Sequence, residues 1–206
     1  MTLFQGNGLA CRRGEIPVFA GLDFAADAGE ALWLAGPNGS GKSSLLRLMA
    51  GLLDPIEGTI TWNGTPIADD REGHRARLRY LGHLDAVKPH LSVEENLGFW
   101  AEYWDAPKAS VARALGRVGL AHLAEAMGRR LSAGQRRRLA LARLLLAPAP
   151  LWLLDEPTAA LDSDGMALFA TLAAECRARG GIVMFSSHDV LALPGARQLP
   201  LAGRAA

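Results

Sequence analysis

Three short apolar runs punctuate the chain, and each ends abruptly in polar chemistry. The first, EALWLA beginning at Glu30, passes straight into GPNGSGKSS at 36–44. The second, LWLL at 151–154, ends in Asp155 and Glu156, and the third, IVMF at 182–185, ends in Ser186, Ser187 and His188. Runs this short and this uniformly apolar predict strands buried on both faces, as in a parallel sheet. The carboxyl ends of such strands are where open α/β folds bind ligands.

Beyond the first run, Leu45, Leu46, Leu48 and Met49 fall at helical spacing, and Gly51 is placed to cap that helix. Strand, glycine loop and helix thus follow in order. Gly36, Gly41, Lys42 and Ser43 have the spacing of a phosphate-binding loop. Glycines let successive backbone N–H groups curl towards phosphates, and the helix N-terminus adds its positive end. The candidate nucleotide-binding segment is therefore Gly36, Pro37, Asn38, Gly39, Ser40, Gly41, Lys42, Ser43 and Ser44. Lys42 is expected to reach the β- and γ-phosphates, and Ser43 to give an oxygen to Mg²⁺. With this chain's own residue frequencies, an accidental match has roughly three chances in a thousand.

In that setting the acids after the second run take on roles. Asp155 is expected to hold Mg²⁺ through water and Glu156 to polarise an attacking water. His188, after the third run, falls at the same predicted sheet edge.

A further element precedes LWLL. Ser132, Ala133, Gly134 and Gln135 lie in LSAGQ, and Ser132 with Gln135 forms a capping box, which predicts a helix start with free N–H groups over 133–135. Arg136, Arg137 and Arg138 behind it read as a solvated face.

Composition narrows the picture. A chain of 206 residues holds one well-buried domain. Its 22 basic and 21 acidic residues leave no global positive field, so no nucleic-acid partner is expected. Only Lys42, Lys88 and Lys108 are lysines, preceded by Gly41, Val87 and Pro107, so no Asn/Thr-Lys-x-Asp guanine-reading motif exists. The longest strongly apolar stretch is 11 residues with two prolines, too short to span a bilayer, and the N-terminus lacks the pattern of a secretory signal. A cytoplasmic protein is expected. Cys11 and Cys176 stand alone, which predicts reduced thiols and no metal or covalent haem site.

Taken together, GPNGSGKS, LSAGQ, LWLLDEP, TAALD at 158–162 and His188 make the chain resemble the ATP-binding-cassette (ABC) ATPases over nearly its whole length. The resemblance implies an α/β fold: a P-loop NTPase core of ABC-ATPase type with a small flanking antiparallel β-subdomain and an inserted helical subdomain. As one nucleotide-binding domain, the core and β-subdomain would occupy 1–83 and 144–206, and the helical subdomain 84–143. It also implies a homodimer in which each ATP lies between one chain's Walker A loop and the other's signature residues Ser132, Ala133, Gly134 and Gln135. Glu156 would be the general base, His188 would contact the γ-phosphate, Asp162 in the D-loop would couple the two sites, and Ser43 and Asp155 would serve the metal. Ala133 stands for the usual signature glycine, a small-for-small change that leaves the backbone donors in place.

The alternation from Thr59 to Trp62 before Asn63-Gly64 is a hairpin signal that suits the β-subdomain. Where the family stacks adenine on an aromatic residue, this chain has Arg12 and Arg13. Either is a guanidinium that stacks on the base or a solvated loop arginine. At the position of the family's loop glutamine stands His83, nine residues ahead of Ser92. An imidazole is a poor direct Mg²⁺ ligand, so His83 either hydrogen-bonds water or carries a signal to a partner. Phe99, Trp100, Tyr103 and Trp104 read either as core of the helical subdomain or as a groove for a membrane subunit.

The segment 82–100, GHLDAVKPHLSVEENLGFW, and the short tail after His188 resemble more narrowly the ATP-binding subunits of bacterial cytochrome c maturation complexes. That likeness implies integral membrane partners of CcmB, CcmC and CcmD type, a peripheral position on the cytoplasmic face of the inner membrane, and ATP hydrolysis that drives haem export or release of a haem-loaded chaperone. No direct haem binding is expected. An ABC ATPase serving an ion, lipid or drug is the alternative.

Overall fold

The computed structural model describes residues 3–187 and 193–201. These residues form two compact units, one drawn from the described residues up to 80, 150–156 and those from 173 onward, the other from 81–149 and 157–172.

The first unit contains two sheets. Strands β1 (Phe4–Arg13), β2 (Ile16–Ala26), β4 (Glu57–Trp62) and β5 (Thr65–Pro66) make an antiparallel sheet in the order β2-β1-β4-β5. The hairpin expected at Asn63-Gly64 joins β4 to β5, with φ of 50° and 82° at its two central residues. The other sheet runs β6-β7-β8-β3-β9, with β3 at Ala31–Ala35, β6 at Leu78–Leu81, β7 at Leu151–Leu154, β8 at Ile182–Ser186 and β9 at Ala196–Pro200. The pairs β7/β8, β8/β3 and β3/β9 are parallel. Every residue of β7 and β8 is buried, as their unbroken apolar runs predict.

Helix α1 (Lys42–Met49) follows β3 and buries Leu45, Leu46, Leu48 and Met49 in a core shared with Phe4, Leu9, Leu32, Leu34 and Met184. It ends as glycine placement predicts. Gly51, at φ 65°, donates to the Leu48 carbonyl at 3.0 Å, and Leu52 to the Arg47 carbonyl at 2.9 Å, the two bonds of a Schellman motif. A short helix, α2 (Arg71–Arg77), precedes β6. Both cysteines are free and buried, and burial pushes the Cys176 thiol up to about 11.

The second unit is helical. Helix α3 (Val93–Tyr103) starts with a complete capping box between Ser92 and Glu95, followed by α4 (Ala109–Arg117) and α5 (Ala133–Ala142). Val93, Leu97 and Ala101 recur every fourth residue and meet Val111, Ala114, Leu115, Val118, Leu139 and Ala142 in one core. Helix α6 (Ser163–Ala178) begins in this unit and ends in the first. The aromatic cluster divides between surfaces: Trp100 and Trp104 pack on the core, whereas Phe99 and Tyr103 are 57% and 68% exposed. No helix among the described residues is long and apolar enough to cross a membrane.

Candidate nucleotide-binding site

Parallel pairing of β3, β7 and β8 brings their carboxyl ends to one edge of the sheet. The loop 36–41 leaves β3 there, and α1 starts at Lys42 with no side-chain cap. Two glycines of the loop are sterically required. A Cβ on Gly36 would lie 2.6 Å from the Leu201 carbonyl oxygen, and one on Gly41, at φ 100°, would lie 2.6 Å from Val18 Cγ1 and 2.9 Å from Phe19 Cδ1. Lys42 is 7% exposed, and its Nζ donates to the Gly36 and Pro37 carbonyl oxygens at 2.7 and 3.1 Å. The ammonium is thus held by the loop it is expected to serve.

Asp155 and Glu156 emerge from β7. Asp155 is 2% exposed, and its Oδ1 accepts a hydrogen bond from Ser186 Oγ at 2.7 Å. Glu156 sits at φ 52°, a left-handed conformation rarely adopted by a residue with a long side chain. Its N–H donates to the same Ser186 Oγ at 2.9 Å. The hard oxygens available here, the Asp155 carboxylate and the Ser43 hydroxyl, are the donor type that Mg²⁺ prefers. His188 lies outside the described residues.

The second unit carries the LSAGQ segment. Ser132 caps α5, accepting from the Gln135 N–H at 3.2 Å while its own N–H donates to Gln135 Oε1 at 2.8 Å. The expectation of free N–H groups throughout 133–135 is corrected here, because the capping box consumes that of Gln135. Ala133 is exposed at the first helical position, where a methyl group meets no obstacle. Gly134 is different: a Cβ there would lie 3.0 Å from the Ala160 carbonyl oxygen. Asp162 pairs with Arg138 and caps α6 through the Gly165 N–H.

The three arginines after the segment are not the solvated face expected of them. Arg137 is 2% exposed, with Nε donating to the Pro157 carbonyl at 3.1 Å and Nη1 to Asp85 Oδ1 at 3.0 Å. A buried guanidinium is tolerated because these acceptors compensate its charge. Arg136 donates to the Leu131 carbonyl at 2.6 Å. His83 is exposed in the bend after β6, beside Leu84, which is 80% exposed.

Arg12 forms a hairpin-end ion pair with Glu15 at 2.9 Å, and Arg13 is exposed beside it. The side chains that reach the phosphate loop from β2 are those of Val18 and Phe19. Phe19 and Ser186, to which the sequence reading gave no role, lie beside Gly41 and beside the two acids. Ser186 had a readable signal, since LWLL and IVMF both end in a polar residue at the same predicted sheet edge.

A glycine-rich loop between an interior parallel strand and a helix, with a buried aspartate and a glutamate at the end of β7, is the arrangement of a P-loop nucleotide-binding fold. The ABC transporter family profile matches residues 19–159, and the chain belongs to that family of ATP-binding proteins. It is an ABC-type ATPase. Among curated relatives, it is 57% identical to the cytochrome c biogenesis ATP-binding export protein CcmA of Paramagnetospirillum magneticum, over 97% of this chain and 94% of that one. The protein of the same name from Rhodospirillum rubrum is 54% identical, over 97% of this chain and 86% of that one. Among solved structures, an ATP-binding ABC transporter protein of Pyrococcus furiosus superposes with a TM-score of 0.83 at 28% identity, covering 96% of both chains.

Proposed function

We propose that this chain is the ATP-hydrolysing subunit of a membrane ABC complex for cytochrome c maturation, in which hydrolysis drives haem export or release of a haem-loaded chaperone. The observation that carries this reading is the 57% identity, over nearly the full chain, to a relative named for cytochrome c biogenesis and export.

In this reading the loop from Gly36 to Ser44 cradles the phosphates of ATP, and Lys42 leaves its loop carbonyls for the phosphate oxygens. Asp155 and Ser43 would hold Mg²⁺, which when bound would supply positive charge to the phosphates. Glu156 takes a proton from water as the water oxygen bonds to the γ-phosphorus and the bond to the ADP oxygen breaks. His188 contacts the γ-phosphate. Ser132, Ala133 and Gly134 of a second copy approach the same phosphate, with Gln135 serving as their cap, and Asp162 couples the two sites. The exposed Phe99 and Tyr103 on α3 offer an apolar surface to integral membrane subunits of CcmB, CcmC and CcmD type, on the cytoplasmic side of the inner membrane.

The test is complementation of a host strain deleted for its own copy of this gene. Wild-type chain is expected to restore covalently haem-bearing c-type cytochromes and to co-purify with haem-handling membrane subunits. Glu156→Gln is expected to co-purify without restoring them. Normal c-type cytochromes in the deletion strain would overturn the assignment and favour another cargo.

A further inference from the structure

Ser186 closes β8 with its side chain wholly buried, and its hydroxyl is used in both directions. As donor it binds Asp155 Oδ1 at 2.7 Å, and as acceptor it takes the N–H of Glu156 at 2.9 Å. One oxygen atom therefore ties together two consecutive acids at the end of β7. The same residue pairs in register with Leu34 of β3, the strand that leads into the phosphate loop.

Each bond has a separate consequence. Donation to Oδ1 restrains the Asp155 carboxylate through one of its two oxygens. Acceptance from the Glu156 N–H fixes the peptide between the two acids. Glu156 is left-handed at φ 52°, and a non-glycine residue stays there only when its surroundings hold it. Because φ sets the direction of the Cα–Cβ bond, holding this peptide sets where the glutamate carboxylate can go. A buried hydroxyl needs partners, and the ones this serine has are the two acids. Any small apolar residue would fill a buried strand end as well.

We propose that Ser186 is a positioning residue for ATP hydrolysis: its hydroxyl orients Asp155 towards the metal and holds Glu156 in the left-handed conformation that presents its carboxylate to the attacking water. This rests on the roles given above to Asp155 and Glu156. The phosphate loop is a separate segment, so Ser186 should matter little for binding ATP without metal and much for what Mg²⁺ and water do afterwards.

The experiment compares Ser186→Ala, Ser186→Cys and Ser186→Thr in the full chain, with Glu156→Gln in parallel. Affinity for a fluorescent ATP analogue is measured with EDTA and with Mg²⁺, and kcat and KM are measured for ATP. For the alanine and cysteine variants, kcat and the Mg²⁺-dependent gain in affinity are expected to fall about 10- to 100-fold, the usual effect of losing a hydrogen-bond partner behind a metal ligand. Metal-free affinity should stay at the wild-type level, and KM, which is measured with Mg²⁺, should rise only as far as the Mg²⁺-dependent affinity falls. Threonine keeps the hydroxyl and suits a strand, so it should restore most of kcat. Wild-type kcat in Ser186→Ala would overturn the proposal. So would a loss of metal-free affinity in the alanine and cysteine variants that matches the loss of kcat, since that marks a merely structural residue. A threonine variant that melts like wild type yet turns over no faster than alanine would overturn it as well. Glu156→Gln at wild-type rate would instead remove the reading of the acids on which the proposal stands.

Discussion

Arg138 Nη2 lies 2.7 Å from Asp162 Oδ1, and the same oxygen accepts the Gly165 N–H at 2.8 Å. One carboxylate thus caps α6 and pairs with α5. The Gly165 hydrogen bond first, and the Arg138 guanidinium second, hold the Asp162 carboxyl below the usual aspartate range. The Asp162 end of the pair is exposed, and ion pairs open to solvent contribute little, whereas a lost cap is felt. Asp162→Ala should therefore lower Tm more than Arg138→Ala, with Asp162→Asn in between. A folded-state pKa below the unfolded one gives stability that is present above the ordinary aspartate value and disappears as pH falls through the lowered one. Thermal melts of Asp162→Ala and wild type should accordingly converge in acid and separate towards neutral pH. Equal Tm values for the two alanine variants at neutral pH would contradict this ranking.

Lys42 offers the simplest check of the phosphate loop. Its ammonium lies against the Gly36 and Pro37 carbonyls, so little must move for it to meet a phosphate. Hydrogen bonds to charged groups are worth about 1.5–3 kcal/mol, so Lys42→Ala should weaken ATP binding about 10- to 100-fold and abolish measurable hydrolysis. Titration calorimetry and phosphate release measure the two separately. Unchanged affinity would remove Lys42 from phosphate recognition.

The central strands were legible because a strand covered on both faces must be apolar at every position, and EALWLA, LWLL and IVMF satisfy that rule locally. The order of those strands was not legible. β3 lies between β8 and β9, partners far along the chain, and no local pattern encodes that pairing. The strand, glycine-rich loop and helix at 31–49 were readable since the pattern is consecutive. Phe19 was not, because it reaches Gly41 only through the course of β2. Arginines misled for a related reason: periodicity places Arg137 inward, and its acceptors on Asp85 and Pro157 come from distant segments. For Arg12 the signal was local and went unused: Glu15 stands three residues on, across Gly14, and pairs with it at the hairpin end.

His74 makes stability depend on pH in a defined direction. It is 1% exposed, with Nε2 2.8 Å from the Met49 carbonyl oxygen and its ring stacked on Phe4. Burial holds its pKa below 6.5, outweighing the Met49 hydrogen bond. Between the folded and unfolded values the unfolded chain binds a proton that the folded chain does not, so acid favours unfolding. Stability from this residue is complete above the ordinary histidine value and declines as pH falls through it towards the folded value, by at most about 1.4 kcal/mol per pH unit. Urea unfolding from pH 5 to 8 should show this slope in wild type and lose it in His74→Gln. Parallel curves for the two proteins would contradict a desolvated, neutral His74.

Glu156→Gln separates binding from chemistry. Glutamine matches glutamate in size, and the backbone N–H that donates to Ser186 is untouched, so the left-handed conformation should persist. What disappears is the oxygen that can accept a proton from water. Removing a general base costs about 10²–10⁴-fold in rate, so kcat should fall by that amount while ATP affinity is kept. With phosphate contacts intact and hydrolysis slowed, the ATP-bound pair of chains should outlive its formation and accumulate. Size-exclusion chromatography in Mg²⁺-ATP should then show a dimer for Glu156→Gln that wild type reaches only transiently, and Lys42→Ala should remain monomeric in the same buffer. Hydrolysis at the wild-type rate would take the proton-accepting role from Glu156. A slowed variant that stays monomeric would leave that role in place and count against the ATP sandwich.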